Sequence, residues 1–480
     1  MAEIKTDICI IGAGAAGLSV AAGAVQMGAK AVLIEQHMRD GFMGGDCLHT
    51  GCVPSKALLA AAKHAYGMGQ GAPFGIAPAT PHIDFTKVHD HVHEVIGAIA
   101  PVDSVTRFTD LGVKVIEGTA QFTGPRTLEV NGQVIRAKFF VIATGSTPAT
   151  PPIPGLDTVP YFTNETLFDN TALPRHLVII GGGPIGAEMA QAHRRLGAEV
   201  TLIEGATFMG RDDPELVSVV RQRLIGEGVT ILEGAKVTSV CSQLQSEISI
   251  AFAQDGQTRS VGGSHLLVAV GRTPAVGGLG LEKAGIAYSH KGIEVDARLR
   301  TTNKRIFAIG DVAGGPQFTH VAGYHAGIAI RNMLYRIPAK ADLSAVPHVT
   351  YTDPELAHVG LTQAEAEGTF GPDKIRVLRS LYAENDRAQA ERKTEGLIKV
   401  ILKANGEILG ASIVGEGAGE LLQPWILALS AKLKISAFAG MIAPYPTLGE
   451  ISKRAAGAFY TPFLFGARNR LIVQTLLKLP

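Results

Sequence analysis

Two short glycine-rich segments, each set between an apolar run and a helix-like run, constrain this chain more than any other feature. Ile8-Cys9-Ile10-Ile11 reads as a buried strand, Gly12-Ala13-Gly14-Ala15-Ala16-Gly17 as a tight turn, and the run to Met27 as a helix; a second strand, Ala31 to Ile34, ends at Glu35. Gly12, Gly14 and Gly17 let the backbone approach a pyrophosphate at a helix N-terminus, and Glu35 accepts hydrogen bonds from ribose hydroxyls. The arrangement recurs where Leu177 to Ile180 leads into Gly181-Gly182-Gly183-Pro184-Ile185-Gly186 and a further apolar run, Val200 to Ile203, ends at Glu204. Gly12 and Glu35 are 23 residues apart, and so are Gly181 and Glu204. The expectation is an α/β protein with two Rossmann-like dinucleotide-binding units, the second held by Gly181, Gly183, Gly186 and Glu204.

Glu204 also bears on the ligand of the second unit. Its carboxylate suits a ribose 2′-hydroxyl and repels a 2′-phosphate, and Gly205, Ala206 and Thr207 supply no cation. NADH is therefore favoured over NADPH, with Arg211 keeping the phosphorylated form open.

Between the two units lies Gly44 to Lys56, GGDCLHTGCVPSK, with Cys47 and Cys52 five positions apart. Structural disulfides are rare in a reducing cytosol, so a close cysteine pair in a large chain points to catalysis or metal binding. Pro54 suits a first helical turn and places Cys52 at the positive end of a helix, where a thiolate is stabilised. Cys9, inside an apolar strand, and Cys241, far away, are expected to be inert. No residue is assigned to a resident metal.

Bulk properties narrow the classes. A length of 480 residues implies two to four domains. The 44 basic and 43 acidic side chains leave a charge of +1, which gives no electrostatic footprint for nucleic acid. The N-terminal MAEIKTDICIIGAG enters a strand pattern directly, with no secretion signal, and no apolar run reaches the length of a membrane span. A cytoplasmic location is expected.

The ordered set of motifs resembles the class I pyridine nucleotide-disulfide oxidoreductases, which include dihydrolipoamide dehydrogenase, glutathione reductase and mercuric reductase. Ala143-Thr144-Gly145, Gly271-Arg272-Thr273-Pro274, Ile309-Gly310-Asp311, Tyr351 to Glu355 and Gly396 to Val400 extend the resemblance over nearly the whole chain. It implies FAD in the first cradle and NAD(P)H in the second, each with its own pyrophosphate site so that flavin and nicotinamide meet for hydride transfer. It implies cofactor contacts for Gly45, Thr144, Gly145, Gly271, Arg272, Gly310 and Asp311, the last through the ribityl chain. Cys52 takes the role of the thiol nearer the flavin and Cys47 that of the interchange thiol, with Lys56 near flavin N5 and Glu188 as its acidic partner. The implied layout is an FAD domain over 1–155 and 279–341, an NAD(P) domain over 156–278, and a C-terminal α+β dimerisation domain over 342–480. Pro148, Pro151, Pro152 and Pro154 mark the first crossing. A homodimer is implied, because the segment around Tyr445 and Glu450 reaches the redox pair of the neighbouring subunit in related proteins.

One departure bears on the substrate. Where most disulfide-reducing members carry His-Pro-Thr-x-x-Glu, this chain has Tyr445-Pro446-Thr447-Leu448-Gly449-Glu450. A tyrosine titrates near ~10 against ~6.5 for histidine, so Tyr445 is a poor general base. Mercuric reductase also presents tyrosine there and handles a soft metal ion, which suits thiolates. Yet no cysteine follows Cys241, so the C-terminal pair with which that enzyme collects metal is missing. The expectation is a mercuric-reductase-like FAD-dependent NAD(P)H oxidoreductase whose acceptor is a metal ion, a small disulfide or a quinone. One alternative is a specialised dihydrolipoamide dehydrogenase in which His49, His320 or His325 restores the base; another is a flavin-bound redox sensor or assembly subunit. Beyond Arg454, Phe459, Phe463, Leu464, Phe465, Leu471, Ile472, Val473, Leu476 and Leu477 alternate with Arg468, Arg470 and Lys478. Such a tail fits packing in the dimer, a membrane surface or another protein.

Overall fold

Strand β1 (Glu3–Ile11) sends alternate side chains to opposite faces, as its period of two requires. Ile8 and Ile10 enter one core with helix α1 (Ala15–Gln26) and the helix Thr319–Met333, while Cys9 and Ile11 enter a second core on the other face. Covered on both faces, Ile8 to Ile11 has no polar side and is apolar without interruption, whereas the less buried start of the strand carries Glu3, Lys5 and Asp7. The computed structural model describes residues 3–39, 41–242 and 247–479.

β1 pairs in parallel with β2 (Ala31–Glu35) and with β6 (Gln133–Ile142). With β3 (Lys114–Glu117), β4 (Gln121–Gly124) and β5 (Thr127–Val130) the order is β3-β2-β1-β6-β5-β4, and Ile306–Ala308 adds a further parallel strand on β6. β4, β5 and β6 run antiparallel. The parallel part leaves the C-terminal ends of β1, β6 and Ile306–Ala308 side by side, which gathers Gly12, Ala143 and Gly310 in one place. Ligands of open α/β sheets bind at such strand ends.

By contacts the chain divides into two compact units, one of Met1–Gly181, Arg195–Glu199 and Val237–Asp342, the other of Gly182–Arg194, Val200–Lys236 and Leu343–Pro480. The first holds the sheet just described and the parallel pair His176–Ile180 with His265–Val268. β7 (Ser146–Pro148) pairs there with Arg272–Pro274 in an antiparallel ribbon. The second holds the helix Pro184–Arg195 and an antiparallel sheet of Ile375–Leu381, Leu397–Lys403, Ile408–Gly415, Glu355–Gly360 and His348–Thr350. Its core is built on Trp425, fully buried, stacked on Phe438 with ring centres 3.8 Å apart and donating from Nε1 to Ser452 at 3.0 Å. The fold is α/β with a C-terminal α+β part, as the motif order led us to expect. Among the described residues no helix is long and apolar enough to cross a membrane.

Candidate redox site and nucleotide cradles

The first cradle is lined by backbone. Gly12 has φ +99°, and a Cβ there would lie 2.4 Å from the carbonyl oxygen of Ala143; one at Gly17 would lie 1.9 Å from that of Gly12. Gly14, at the N-cap of α1, faces open space. Glu35 closes the turn by accepting from Ala13 N–H at 2.6 Å, and its other oxygen accepts from the Gln36 and His37 amides. The oxygen that accepts from Ala13 keeps one lone pair for a ribose hydroxyl, while the other already accepts two backbone N–H groups. An open concavity at a helix N-terminus, with an acid at the strand end, fits a dinucleotide.

The cysteine segment is fastened to this cradle. Gly44 N–H donates to Ala13 O at 2.9 Å, and Gly45, with φ +60°, approaches so closely that a Cβ would sit 3.1 Å from Gly14 Cα. Cys47 then falls in α2 (Gly45–His49), and α3 (Cys52–Met68) begins at Cys52, as Pro54 led us to expect. Neither cysteine is in a disulfide in this structure, and Cys52 is the more exposed of the two. The hydrogen bond to Cys52, then burial and the Cys52 charge, raise the Cys47 thiol well above its ordinary range; Thr319 opposes this and Asp103 adds to it. These causes favour the protonated form of Cys47, and Cys52 stands at the start of a helix, where the backbone favours negative charge. The Thr319 hydroxyl lies 3.5 Å from Cys52 Sγ.

A second acid stands on the Cys47 side. Asp103 is raised above the usual carboxylate range by burial, with Arg107 and His49 pulling the other way. Asp103 O accepts from Met43 N–H at 3.1 Å, and Met43 O accepts from His49 Nε2 at 2.8 Å. Both thus hold the entry to the redox loop.

Arg272 ties that loop to the sheet. It donates to Asp46, to Asn164 Oδ1 at 3.0 Å, and to both the hydroxyl and the carbonyl of Ser146 at 2.7 Å. Asn164 in turn donates to Thr50 O at 3.2 Å. Ser146 Oγ donates to Asp311 Oδ2 at 2.6 Å. Burial raises Asp311 above its ordinary range, with Ser146 and Arg272 lowering it and Asp46 raising it. Thr144 donates to Ala275 O at 2.8 Å, while Gly145, Gly271 and Gly310 turn the backbone with φ of +69°, +117° and +70°. His325 is buried and pushed toward its neutral form, and its Nδ1 accepts from Gly310 N–H at 3.2 Å. It supports the Asp311 turn. His320 stacks on Phe318 with ring centres 5.1 Å apart.

The second cradle repeats the first. A Cβ at Gly181 would lie 2.4 Å from Ala269 O, Gly183 faces open space, and Gly186 is buried in the helix that follows. Glu204 accepts from Gly182 N–H at 2.7 Å and Ala206 N–H at 2.8 Å. Glu188 is only 5% exposed and accepts from Tyr351 N–H at 2.9 Å. Lys56 is half-buried on α3, with Nζ 3.4 Å from Ser55 Oγ.

Tyr445 is 71% exposed and donates its hydroxyl to Asp386 at 2.9 Å, which raises its proton affinity further. Glu450 accepts from Thr447 N–H at 3.4 Å, keeping the segment folded on itself. Among the described residues no group of three or more histidine, cysteine, aspartate or glutamate side chains is placed to hold a metal ion.

Asp46, Asp103, Ser146, Asn164 and Thr319 join the site without having been singled out from the sequence. Asp46 and Thr319 stand within or beside the motifs, so their positions were a signal; Asp103 and Asn164 had none.

Comparison with known proteins fits this geometry. Residues 6–326 match the family described as pyridine nucleotide-disulphide oxidoreductase, and residues 346–456 match its dimerisation domain. The mercuric reductase of Streptomyces lividans is 36% identical over 462 residues, covering 94% of this chain and 96% of its own. The dihydrolipoyl dehydrogenase of Geobacillus stearothermophilus is 33% identical, with the same coverage of 94% and 96%. The HOCl-induced flavoprotein disulfide reductase RclA from Escherichia coli, solved as its Cu(II) complex, superposes with a TM-score of 0.84 at 29% identity, over 95% of this chain and 99% of that one. Two glycine cradles, a thiol pair fastened to the first of them, and this likeness along almost the whole length lead to one conclusion: the chain belongs to the pyridine nucleotide-disulphide oxidoreductase family, as a flavoprotein enzyme with FAD and NAD(P)H as cofactors and the family's dimerisation domain.

Proposed function

We propose that this enzyme takes electrons from NAD(P)H, with NADH preferred, and passes them through the Cys47-Cys52 pair to a soft metal ion, a small disulfide or a quinone. FAD, when bound, supplies the two-electron relay between the nicotinamide hydride and the disulfide. Gly12, Gly14 and Gly17 receive its pyrophosphate, Glu35 its ribose and Asp311 its ribityl chain; Gly181, Gly183, Gly186 and Glu204 do the same for the nicotinamide nucleotide. Two electrons and one proton open the disulfide, leaving a thiolate on Cys52 and a thiol on Cys47. The observation that carries this reading is the fastening of the redox loop to the flavin cradle through Gly44 and Ala13, 2.9 Å apart.

The roles of Lys56 and Glu188 as a charge pair beside the flavin, and of Tyr445 and Glu450 as the partner subunit's contribution in a homodimer, belong to the same proposal. So do the domain boundaries at 155, 278 and 341 and a cytoplasmic location. A tyrosine whose hydroxyl is already donated to Asp386 supplies no base, which favours acceptors that arrive without a thiol proton to remove. The Cu(II) complex of RclA supports a metal ion among them.

A specialised dihydrolipoamide dehydrogenase is the second reading, favoured by His49 and Asp103 at the entry to the Cys47 loop. Anaerobic NADH oxidation with Hg(II), Cu(II), glutathione disulfide, lipoamide and a soluble quinone separates them. The proposal expects turnover with one of the first three or the quinone, and negligible oxidation of dihydrolipoamide by NAD⁺. Equal dihydrolipoamide turnover in the unmodified protein and in Tyr445→His selects the second reading instead.

A further inference from the structure

The chain beyond residue 456 lies outside the matched dimerisation domain. Residues 451–480 contain no aspartate or glutamate, and their charged side chains are Lys453, Arg454, Arg468, Arg470 and Lys478. After the helix Glu450–Ala458, which buries Ile451, Ser452, Ala455 and Ala456, come two short helices, Thr461–Leu464 and Ala467–Leu476, with no buried residue in either. Phe463, Phe465, Leu471 and Leu477 are 71, 65, 65 and 79% exposed. Helical geometry continues beyond the second helix through the bonds Leu477 N to Val473 O, 2.9 Å, and Lys478 N to Thr475 O, 3.1 Å.

Spacing sorts these side chains. Arg470, Gln474 and Lys478 recur every fourth residue along one row, while Ile472, Val473, Leu476 and Leu477 form a separate apolar face. Ten residues of helix reach only about 15 Å, half of the ~30 Å hydrocarbon core, so the segment is too short to span. Tail-on-tail packing between two copies brings like charges together, with no acid to neutralise them. Cations beside an apolar face, in a segment free of acids, complement one surface in particular, an anionic lipid headgroup layer over acyl chains.

We propose that residues 461–479 dock this enzyme peripherally on an anionic phospholipid surface, with Phe463, Phe465 and the apolar helix face entering the acyl boundary and the basic row meeting lipid phosphates. The inference does not depend on the electron acceptor.

The test is flotation of the purified full-length flavoprotein with vesicles of phosphatidylcholine alone and of phosphatidylcholine and phosphatidylglycerol in equal parts. The bound fraction is expected to rise at least about tenfold with the anionic lipid and to fall with added salt. Arg468→Glu combined with Arg470→Glu and Lys478→Glu should abolish that gain, and so should Leu476→Asp. Each of these residues is exposed, so flavin absorbance and NADH oxidation with a soluble acceptor should stay unchanged. Equal binding to both vesicles, or none to either by an intact flavoprotein, overturns the proposal. So does a change of oligomeric state in Leu476→Asp without lipid binding in the unmodified protein, which would assign the tail to the dimer.

Discussion

Arg272 donates its guanidinium to the carboxylate of Asp46, the residue immediately before Cys47. The same group holds Ser146, whose hydroxyl is bonded to Asp311, so the redox loop and the carboxylate at the flavin cradle share one cation. The Arg272 side chain is 15% exposed, which separates this pair from the weak ion pairs of an open surface. Its planar fork serves several acceptors at once, a geometry that an ammonium does not reproduce.

Arg272→Lys should therefore keep the charge and lose the register of the loop. The expected result is a fall in kcat/KM for a fixed acceptor of about 10- to 100-fold, the cost of misplacing reacting groups by about an ångström. Asp46→Asn should have a smaller effect in the same direction. Steady-state NADH oxidation measures both, and an unchanged kcat/KM in Arg272→Lys would mean that other contacts position the loop.

The proton on Cys47 gives a pH test. Hydrogen bonding to Cys52 and the Cys52 charge both favour the protonated form of Cys47, as does the negative charge of Asp103. Removing either neighbour therefore lowers the pH at which Cys47 ionises. In Cys52→Ser the pH midpoint for alkylation of Cys47 should move down by about one unit or more, and in Asp103→Asn by a few tenths of a unit to about one unit. Iodoacetamide labelling of the reduced protein, followed by peptide mass analysis, reads this midpoint. An upward shift in either variant would contradict the assignment of the proton.

What the sequence disclosed and what it hid divide along the range of the interactions. The cradles were legible because their constraints are local: Gly12 and Gly17 are fixed by backbone atoms that no side chain can share space with, and Glu35 and Glu204 sit at the ends of the following strands. The start of α3 at Cys52 was legible through Pro54, two residues away. The Asp46 and Arg272 pair spans 226 residues, and the Thr319 hydroxyl reaches Cys52 across 267. No spacing rule encodes either, because both depend on how the sheet brings strand ends together. Tyr445 was visible as a departure from a motif, but its bond to Asp386 was not.

The first cradle is testable by one methyl group. A Cβ at Gly17 falls 1.9 Å from Gly12 O, a contact that backbone must move to relieve. Gly17→Ala should purify without the flavin absorbance of the unmodified protein, measured per chain, while Gly14→Ala, which meets open space in the protein itself, should lose less.

Stability rests in part on a buried cation. Lys399, with 5% of its side chain exposed, lies 2.7 Å from Asp213 and 2.9 Å from Glu215, and Asp213 is equally buried. Lys399→Met removes the buried cation nearest the Asp213 carboxylate and leaves Arg379 as the remaining positive charge acting on it, at a cost of up to about 3–5 kcal/mol. Denaturant unfolding followed by far-UV circular dichroism should show the earlier transition; a midpoint within error of the unmodified protein would remove the pair from the account of stability.

The central claim is that electrons pass from bound nicotinamide to the sulfur of Cys52, and rapid mixing tests it most directly. Adding one equivalent of NADH anaerobically to the oxidised protein should produce a long-wavelength absorbance band from the Cys52 thiolate donating to flavin, and Cys52→Ala should lack it. Absence of the band in the unmodified protein, or its persistence in Cys52→Ala, would contradict the assignment of Cys52 as the thiol facing the flavin.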